Sequence, residues 1–379
     1  MKKILSVFFT ILIALMSFVP TYALDIKDPK IDTTVKSAFL MDANTGTVLY
    51  AYNENQRLAP ASVTKIMTLL LVFEAIDSGK LNYDDMLTAS ENAASMGGSQ
   101  IFLEPGEQMS VNDLLKSVVV ASANDAAVTL AEHVSGSEET FVGDMNKKAK
   151  ELGMENTNFE NVTGLDDETV NHLTTAKDIA IMSRELLKHE KVMEYTKIWM
   201  DTIRNGEFGL TNTNRLVRFY RGVTGLKTGY TDDAGFCISA TAKRGNLHLI
   251  AVVMGAESRD ARNSYATKLL DFGFANYSVY ENDSNIAGKI SVLGGESDYV
   301  ETKYDKLELL INKGNEGKIT YKIEMQESIS APVNSGDPCG KIIYYLNGEA
   351  IAEKNVYCAS DVAKISFWTY MERILKKIF

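Results

Sequence analysis

The chain has 379 residues, 45% of them hydrophobic and 23% charged, which excludes a largely disordered protein and leaves room for two or three domains. Its 39 basic and 50 acidic residues give a formal charge of −11, which argues against nucleic acid as the main partner, since phosphates are met by clustered basic side chains. Three cysteines are too few for a disulfide scaffold and fit no zinc spacing, and six prolines leave little room for long linkers.

Residues 1–23 start with Lys2 and Lys3, run apolar over positions 4–19, and end with small residues at Thr21 and Ala23. A basic start, a short apolar core and a small-residue exit describe a secretory signal peptide. The run is shorter than the roughly 20 residues a bilayer span needs, although an uncleaved anchor is the alternative. The mature chain is therefore expected to begin near Leu24 and to work outside the cytoplasm.

The next segment, 24–282, mixes strand-like and helix-like patterns. Residues 37–42 and 47–51 alternate around Asn44-Thr45-Gly46, a hairpin signal. Residues 62–78 form a long apolar helical stretch closed by Gly79, and 111–134 and 175–188 also carry helical periodicity. Two β-rich runs, 236–242 and 247–255, flank the turn Lys243-Arg244-Gly245-Asn246. Strands at both ends with helices between them predict an α/β sandwich on a largely antiparallel sheet.

From 283 to 360 the helical signal disappears. Segments 289–293, 300–311, 318–325 and 341–356 alternate or are β-rich, and Asn347-Gly348 is a two-residue hairpin turn. This predicts a small all-β domain with no cluster that suggests chemistry, a spacer or docking module. The final segment, 361–379, places Val362, Ile365, Trp368, Met371, Ile374, Leu375, Ile378 and Phe379 at three- and four-residue steps. Lys364, Arg373, Lys376 and Lys377 outnumber Asp361 and Glu372 there. A basic, Trp-bearing amphipathic helix is expected to act as an interfacial membrane anchor, the alternative being a terminal helix docked on its own domain.

The chemistry must then lie in 24–282. His133, His172, His189 and His248 show no zinc-protease spacing, so no metal is expected. No Gly-x-Ser-x-Gly elbow and no phosphate-binding glycine loop is present, so neither an α/β-hydrolase triad nor a nucleotide cofactor is expected. A nucleophile here needs an activator other than histidine. Ser62-Val63-Thr64-Lys65 supplies one: a three-residue helical step brings the lysine amine to the hydroxyl, and burial or a second cation would keep that amine neutral. The helix N-terminus would favour the attacking oxyanion.

Two further elements join it. Ser122-Ala123-Asn124 follows an apolar run in a short connection, where its hydroxyl could relay a proton and its amide hold a substrate amide. Lys227-Thr228-Gly229 precedes a β-run, and on a strand Lys227 and Gly229 share a face. Lys227 would supply the second cation, Thr228 a hydroxyl for an anion, and Gly229 room for a substrate backbone to approach.

In this order the three elements resemble the penicillin-recognising serine enzymes, for which this motif set is on record. The closer resemblance is to the low-molecular-mass penicillin-binding proteins, the serine-type D-Ala-D-Ala carboxypeptidases. It extends to Ala59-Pro60-Ala61-Ser62, Asn161-Val162-Thr163-Gly164-Leu165-Asp166 and Gly225-Leu226-Lys227-Thr228-Gly229-Tyr230-Thr231. It covers the whole chain, from leader through catalytic and β-domains to the tail. The fold it implies is a penicillin-binding-protein-like α/β (α+β) sandwich with a mostly antiparallel sheet and a helical subdomain, followed by the small all-β domain.

The resemblance also implies residue roles. Ser62 attacks the penultimate D-Ala carbonyl, Lys65 is the general base, and Ser122 passes the proton toward the leaving D-Ala nitrogen. Asn124 holds the substrate's amide and positions Lys65, while Lys227 lowers the pKa of Lys65. The backbone N–H groups of Ser62 and Tyr230 form the oxyanion hole. Arg262 clamps the terminal carboxylate, with Arg259 as the competing candidate. The implied partners are a peptidoglycan stem peptide, β-lactams as inhibitors, and a membrane surface, at the outer face of the cytoplasmic membrane. The runner-up is a β-lactamase, but no Glu-x-x-Leu-Asn string lies between Ser122 and Lys227. A non-catalytic peptidoglycan-binding scaffold is a third reading. Cys339 and Cys358 could pair in an oxidising compartment, and Cys237 reads as a buried packing residue.

Overall fold

The computed structural model describes residues 24–31, 34–166, 169–283 and 285–378, so the expected leader lies outside the described residues. The chain divides into two compact units. One is Ile26–Tyr277; the other is Ser278–Phe379, joined by the segment that ends at Asp25.

The larger unit is built on a five-stranded sheet. Its strands are β1 (Ser37–Asp42), β2 (Val48–Tyr52), β3 (Val223–Thr231), β4 (Gly235–Arg244) and β5 (Leu247–Ala256), in the order β2-β1-β5-β4-β3. Every neighbouring pair is antiparallel. Both expected hairpins are present, β1–β2 and β4–β5. The interior of β5 is continuously buried because both faces of the sheet are covered. Leu40 and Leu249 meet Gly273 of helix α4 (Arg259–Asn276). Phe39, Met41, Ile250, Val252 and Met254, at the alternating positions, join the large core formed with the helices.

That core is organised around α1 (Lys65–Asp77), which is buried over most of its circumference. An apolar surface all round marks a helix enclosed by others, not one lying at the surface. The 111–134 stretch is not one helix. An α-turn, Val111–Lys116, runs into a π-turn, Ser117–Ala121, and the chain then breaks at Ser122 in the left-handed region (φ 65°, ψ 28°). A new helix, α2 (Asn124–Ser135), follows. Helical periodicity survives such a break because both pieces bury apolar faces in the same core. The 175–188 stretch forms α3 (Ala176–Leu186), with Thr175 accepting from the Asp178 N–H as its N-cap.

The second unit holds a six-stranded sheet of β6 (Ile286–Leu293), β7 (Tyr299–Tyr304), β8 (Ile319–Met325), β9 (Ser328–Ser330), β10 (Pro338–Leu346) and β11 (Glu349–Cys358), ordered β8-β10-β11-β7-β6-β9. Asn347 and Gly348, at φ 53° and 88°, make the expected two-residue turn between β10 and β11. The expected single run 300–311 is interrupted at Asp305-Lys306, and Leu307–Asn312 leaves the sheet.

The tail helix starts later than its sequence pattern predicts. α5 spans Phe367–Ile378, because Val362 and Lys364 form strand-like bridges to Val333 and Gly295, and the buried Val362 belongs to the β-core. On α5 itself Phe367, Trp368, Tyr370, Met371 and Leu375 are exposed. Arg373 meanwhile ties the helix to the 295–298 turn, through Asp298 (3.0 Å) and the carbonyls of Gly295 and Glu296. No helix among the described residues is long and apolar enough to cross a membrane. Cys237, Cys339 and Cys358 are all buried free thiols.

Candidate active site

The nucleophile candidate sits where two helix types meet. A 3-10 turn, Ala61–Thr64, feeds directly into α1, so Ser62 lies one turn before the buried Lys65. Ala61 adopts φ 47°, which turns the chain sharply before Ser62. The Lys65 Nζ lies 3.0 Å from Ser62 Oγ, 2.5 Å from Asn124 Oδ1 and 2.8 Å from the Thr163 carbonyl. The last two oxygens can only accept. A neutral amine therefore spends both its N–H groups on them and aims its lone pair at the Ser62 hydroxyl. Burial, together with the nearby Lys227, holds Lys65 well below the ordinary lysine range, with Asp125 opposing. Lys65 is thus an amine beside the Ser62 hydroxyl whose charging is opposed first by burial and then by Lys227.

The Ser122-Ala123-Asn124 element is placed by the π-turn and the left-handed break. Ser122 Oγ accepts from Lys227 Nζ at 2.8 Å. Asn124 Nδ2 donates to the Gly97 carbonyl (2.7 Å) while Oδ1 faces Lys65. Asn124 is only 2% exposed and bonded at both ends, so a substrate amide reaching it would share a side chain that already contacts Lys65 and Gly97. Neighbouring Asp125 accepts from the N–H groups of Ile101 and Leu103, fixing the loop that holds Gly97.

Lys227, Thr228 and Gly229 lie on β3, one of the two edge strands of the sheet. Lys227 Nζ also donates to the Thr228 carbonyl (3.0 Å), and burial beside Arg262 lowers its pKa to about 7. Gly229 lies against the turn that carries Ser62. A Cβ there would meet the Pro60 carbonyl at 2.8 Å and the Ser62 nitrogen at 2.9 Å. The close approach it permits is that of the nucleophile's own turn. Tyr230 exposes its ring, stacks it near Phe236 (centroids 4.3 Å) and donates its hydroxyl to Asp232.

These groups open on a cleft of about 650 Å³ whose walls include Ser62, Ser122, Thr228, Gly229 and Tyr230. Both arginine candidates line it. Arg262 is the buried one: its guanidinium donates to Asn263 Oδ1 (3.0 and 3.1 Å) and the Cys237 carbonyl, and burial beside Arg259 brings its pKa down to about 10. A third arginine in the wall, Arg215, carried no sequence signal. None of the described residues lining the cleft is acidic, so the site is built for an anion.

Sequence reasoning also missed the service of the 161–166 loop. Asn161 Oδ1 accepts from the N–H groups of Thr163 (3.1 Å) and Gly164 (2.7 Å), an Asx-type turn that directs the Thr163 carbonyl at Lys65. The Asn-x-x-Gly spacing was the available signal.

Residues 24–258 match the D-alanyl-D-alanine carboxypeptidase family, and residues 274–364 match the penicillin-binding protein 5 C-terminal domain. The chain belongs to the D-alanyl-D-alanine carboxypeptidase family. Among curated members it is 46% identical to the D-alanyl-D-alanine carboxypeptidase DacF of Bacillus subtilis, over 99% of this chain and 98% of that one. The crystal structure of penicillin binding protein 5 from Haemophilus influenzae superposes with a TM-score of 0.75 at 34% identity, covering 89% of this chain and all (100%) of that one. Penicillin-binding protein D2 from Listeria monocytogenes, solved in its ampicillin-bound form, gives a TM-score of 0.60 at 33% identity, covering 65% of this chain and 100% of that one. The sandwich and the all-β domain are thus those of the carboxypeptidase family, as the motifs implied.

Proposed function

We propose that this protein removes the terminal D-alanine from peptidoglycan stem pentapeptides through an acyl-enzyme on Ser62, and that β-lactams acylate the same hydroxyl. The observation that supports this most is the pair of lysine–serine contacts at the cleft, Lys65 to Ser62 at 3.0 Å and Lys227 to Ser122 at 2.8 Å. Neutral Lys65 accepts the Ser62 proton as Oγ adds to the penultimate D-Ala carbonyl. The backbone N–H groups of Ser62 and Tyr230 receive the oxyanion. The tetrahedral adduct then expels D-alanine, whose nitrogen takes a proton through Ser122, and water releases the shortened peptide. The free carboxylate of the substrate is met by Arg262, with Arg259 and Arg215 adding field and Thr228 a hydroxyl.

The test is D-alanine release from a synthetic pentapeptide stem, with Ser62→Ala as control. Release by the wild type and none by the variant is expected; equal release from both contradicts the assignment. The same preparation distinguishes the β-lactamase reading. A long-lived penicillin adduct is expected, and rapid lactam turnover would favour the alternative.

The tail and the leader complete the reading: export, then peripheral attachment to the outer face of the cytoplasmic membrane. The exposed aromatic and aliphatic residues of α5 beside a basic terminus support an interfacial helix. Deleting 367–379 is expected to move the protein from the membrane to the soluble fraction without loss of penicillin labelling. A full-length protein that already fractionates as soluble would leave α5 a docked helix only.

A further inference from the structure

His172 is buried, and its two ring nitrogens have different partners. Nδ1 lies 2.9 Å from the backbone nitrogen of Glu160, and Nε2 lies 2.8 Å from Thr64 Oγ1. A backbone N–H can only donate, so Nδ1 is an acceptor and the ring proton sits on Nε2, donated to Thr64. Burial keeps the ring neutral, lowering its pKa to about 4; Glu160 is the charged group that acts on it, in the opposite sense. Phe159 closes one side of the ring with an edge-on contact (centroids 5.7 Å).

The two partners of His172 lie on the two segments whose spacing sets the site. Thr64 is in the turn that carries Ser62 and immediately precedes Lys65. Glu160 leads into the loop whose Thr163 carbonyl accepts from Lys65 and whose Gly164 lies against the Ala61 carbonyl. Thr68 Oγ1 donates to the Val162 carbonyl (2.6 Å) one turn further along α1. Of these ties, the His172 bridge is the one that a single side chain makes at both ends, to the Thr64 hydroxyl and to the Glu160 backbone N–H.

We propose that His172 is a positioning residue for the reaction at Ser62: the Thr64–His172–Glu160 bridge clamps the 160–164 loop onto the nucleophile's turn and so sets the distance from the Thr163 carbonyl to Lys65. This rests on the reading of Ser62 as the acylated residue. With the bridge intact, the Lys65 amine is held dry and its lone pair faces Ser62. With the bridge lost, the loop and turn are free to separate, and water reaches the amine. A hydrated lysine holds its proton to higher pH, so the base is charged over more of the working range.

The test is the second-order rate of acylation by a fluorescent penicillin across pH, for wild type, His172→Ala, His172→Gln and Thr64→Val, each with its melting temperature. His172→Ala should slow acylation roughly ten- to hundredfold and move the acid-side half-maximum to higher pH. His172→Gln, which keeps an N–H donor toward Thr64, should recover much of the rate. Thr64→Val, which leaves the imidazole packing in place, should reproduce the His172→Ala phenotype and add nothing to it in the double variant. If His172→Ala does not fold, Thr64→Val alone decides. A Thr64→Val enzyme with wild-type rate and pH midpoint overturns the proposal, as does a His172→Gln that is no better than His172→Ala. If the wild type itself is not labelled at Ser62, it is the functional reading that fails, not the role of His172.

Discussion

Lys65→Gln is expected to lower acylation of Ser62 by about 10³-fold, in the range for loss of a positioned general base, while the chain remains folded. Glutamine keeps N–H donors for Asn124 Oδ1 and the Thr163 carbonyl but has no amine lone pair for the serine proton. It also removes a buried amine whose charging is opposed by burial, so stability should change little compared with activity. The pH dependence of the wild type follows from the same pair. Lys65, depressed well below its usual value, is the group that must be neutral; Lys227, brought to about 7, is the group that must be charged. A base is active above its pKa and a cation persists below its own. The specificity constant kcat/KM should therefore rise as Lys65 loses its proton and fall as Lys227 does, the falling limb beginning near pH 7 in the free enzyme. The two titrate as a coupled pair, so the fitted values belong to the pair. A Lys227→Gln variant should lose the falling limb along with most of its activity. Its persistence there would assign the limb to another group.

Gly164→Ala should be the most damaging single-methyl change in the catalytic unit. Its Cβ would lie 1.9 Å from the Ala61 carbonyl oxygen, 2.4 Å from the carbonyl carbon and 2.7 Å from Thr64 Oγ1, at a backbone φ of 82°. Neither the backbone of Ala61 nor that of the loop can yield without moving Ser62 or the Thr163 carbonyl. The overpacking and the left-handed strain together cost on the order of 3 kcal/mol. We expect a lower melting temperature and a fall in acylation rate larger than the fraction unfolded accounts for. An alanine variant with normal stability and rate would mean that the loop is not pressed on the turn. Gly79, also at positive φ but with open space around its Cβ position, is the matched control, expected to show only the smaller strain effect.

The contrast between these glycines shows what was legible in the sequence. Ser62-x-x-Lys65, the Ser122 element and Lys227-Thr228-Gly229 could be read because they occur together, in the order that resembles the penicillin-recognising serine enzymes; singly each fits a helix cap or a polar strand entry. The hairpins could be read from period-two patterning and their turn residues. Four things could not. The break at Ser122 was hidden because the helical pieces on either side bury apolar faces in one core, so their periodicity continues through a π-turn. The start of α5 was misplaced because Val362 and Ile365 fit a helical spacing by coincidence while Val362 is committed to the β-core. The work of Gly229 and Gly164 depends on which distant backbone approaches them, and no local pattern encodes that. Arg215 reaches the cleft only through tertiary folding of the segment before β3.

The central claim, a covalent acyl-enzyme on Ser62 assisted by Lys65, is tested most directly by mass spectrometry of the penicillin-treated protein. The wild type should gain the mass of one intact lactam, persisting for minutes or longer, on the proteolytic fragment that contains Ser62. Ser62→Ala should gain nothing, and Lys65→Gln should label far more slowly at the same residue. A lactam found on any other residue, or equal labelling of Ser62→Ala, would contradict the account.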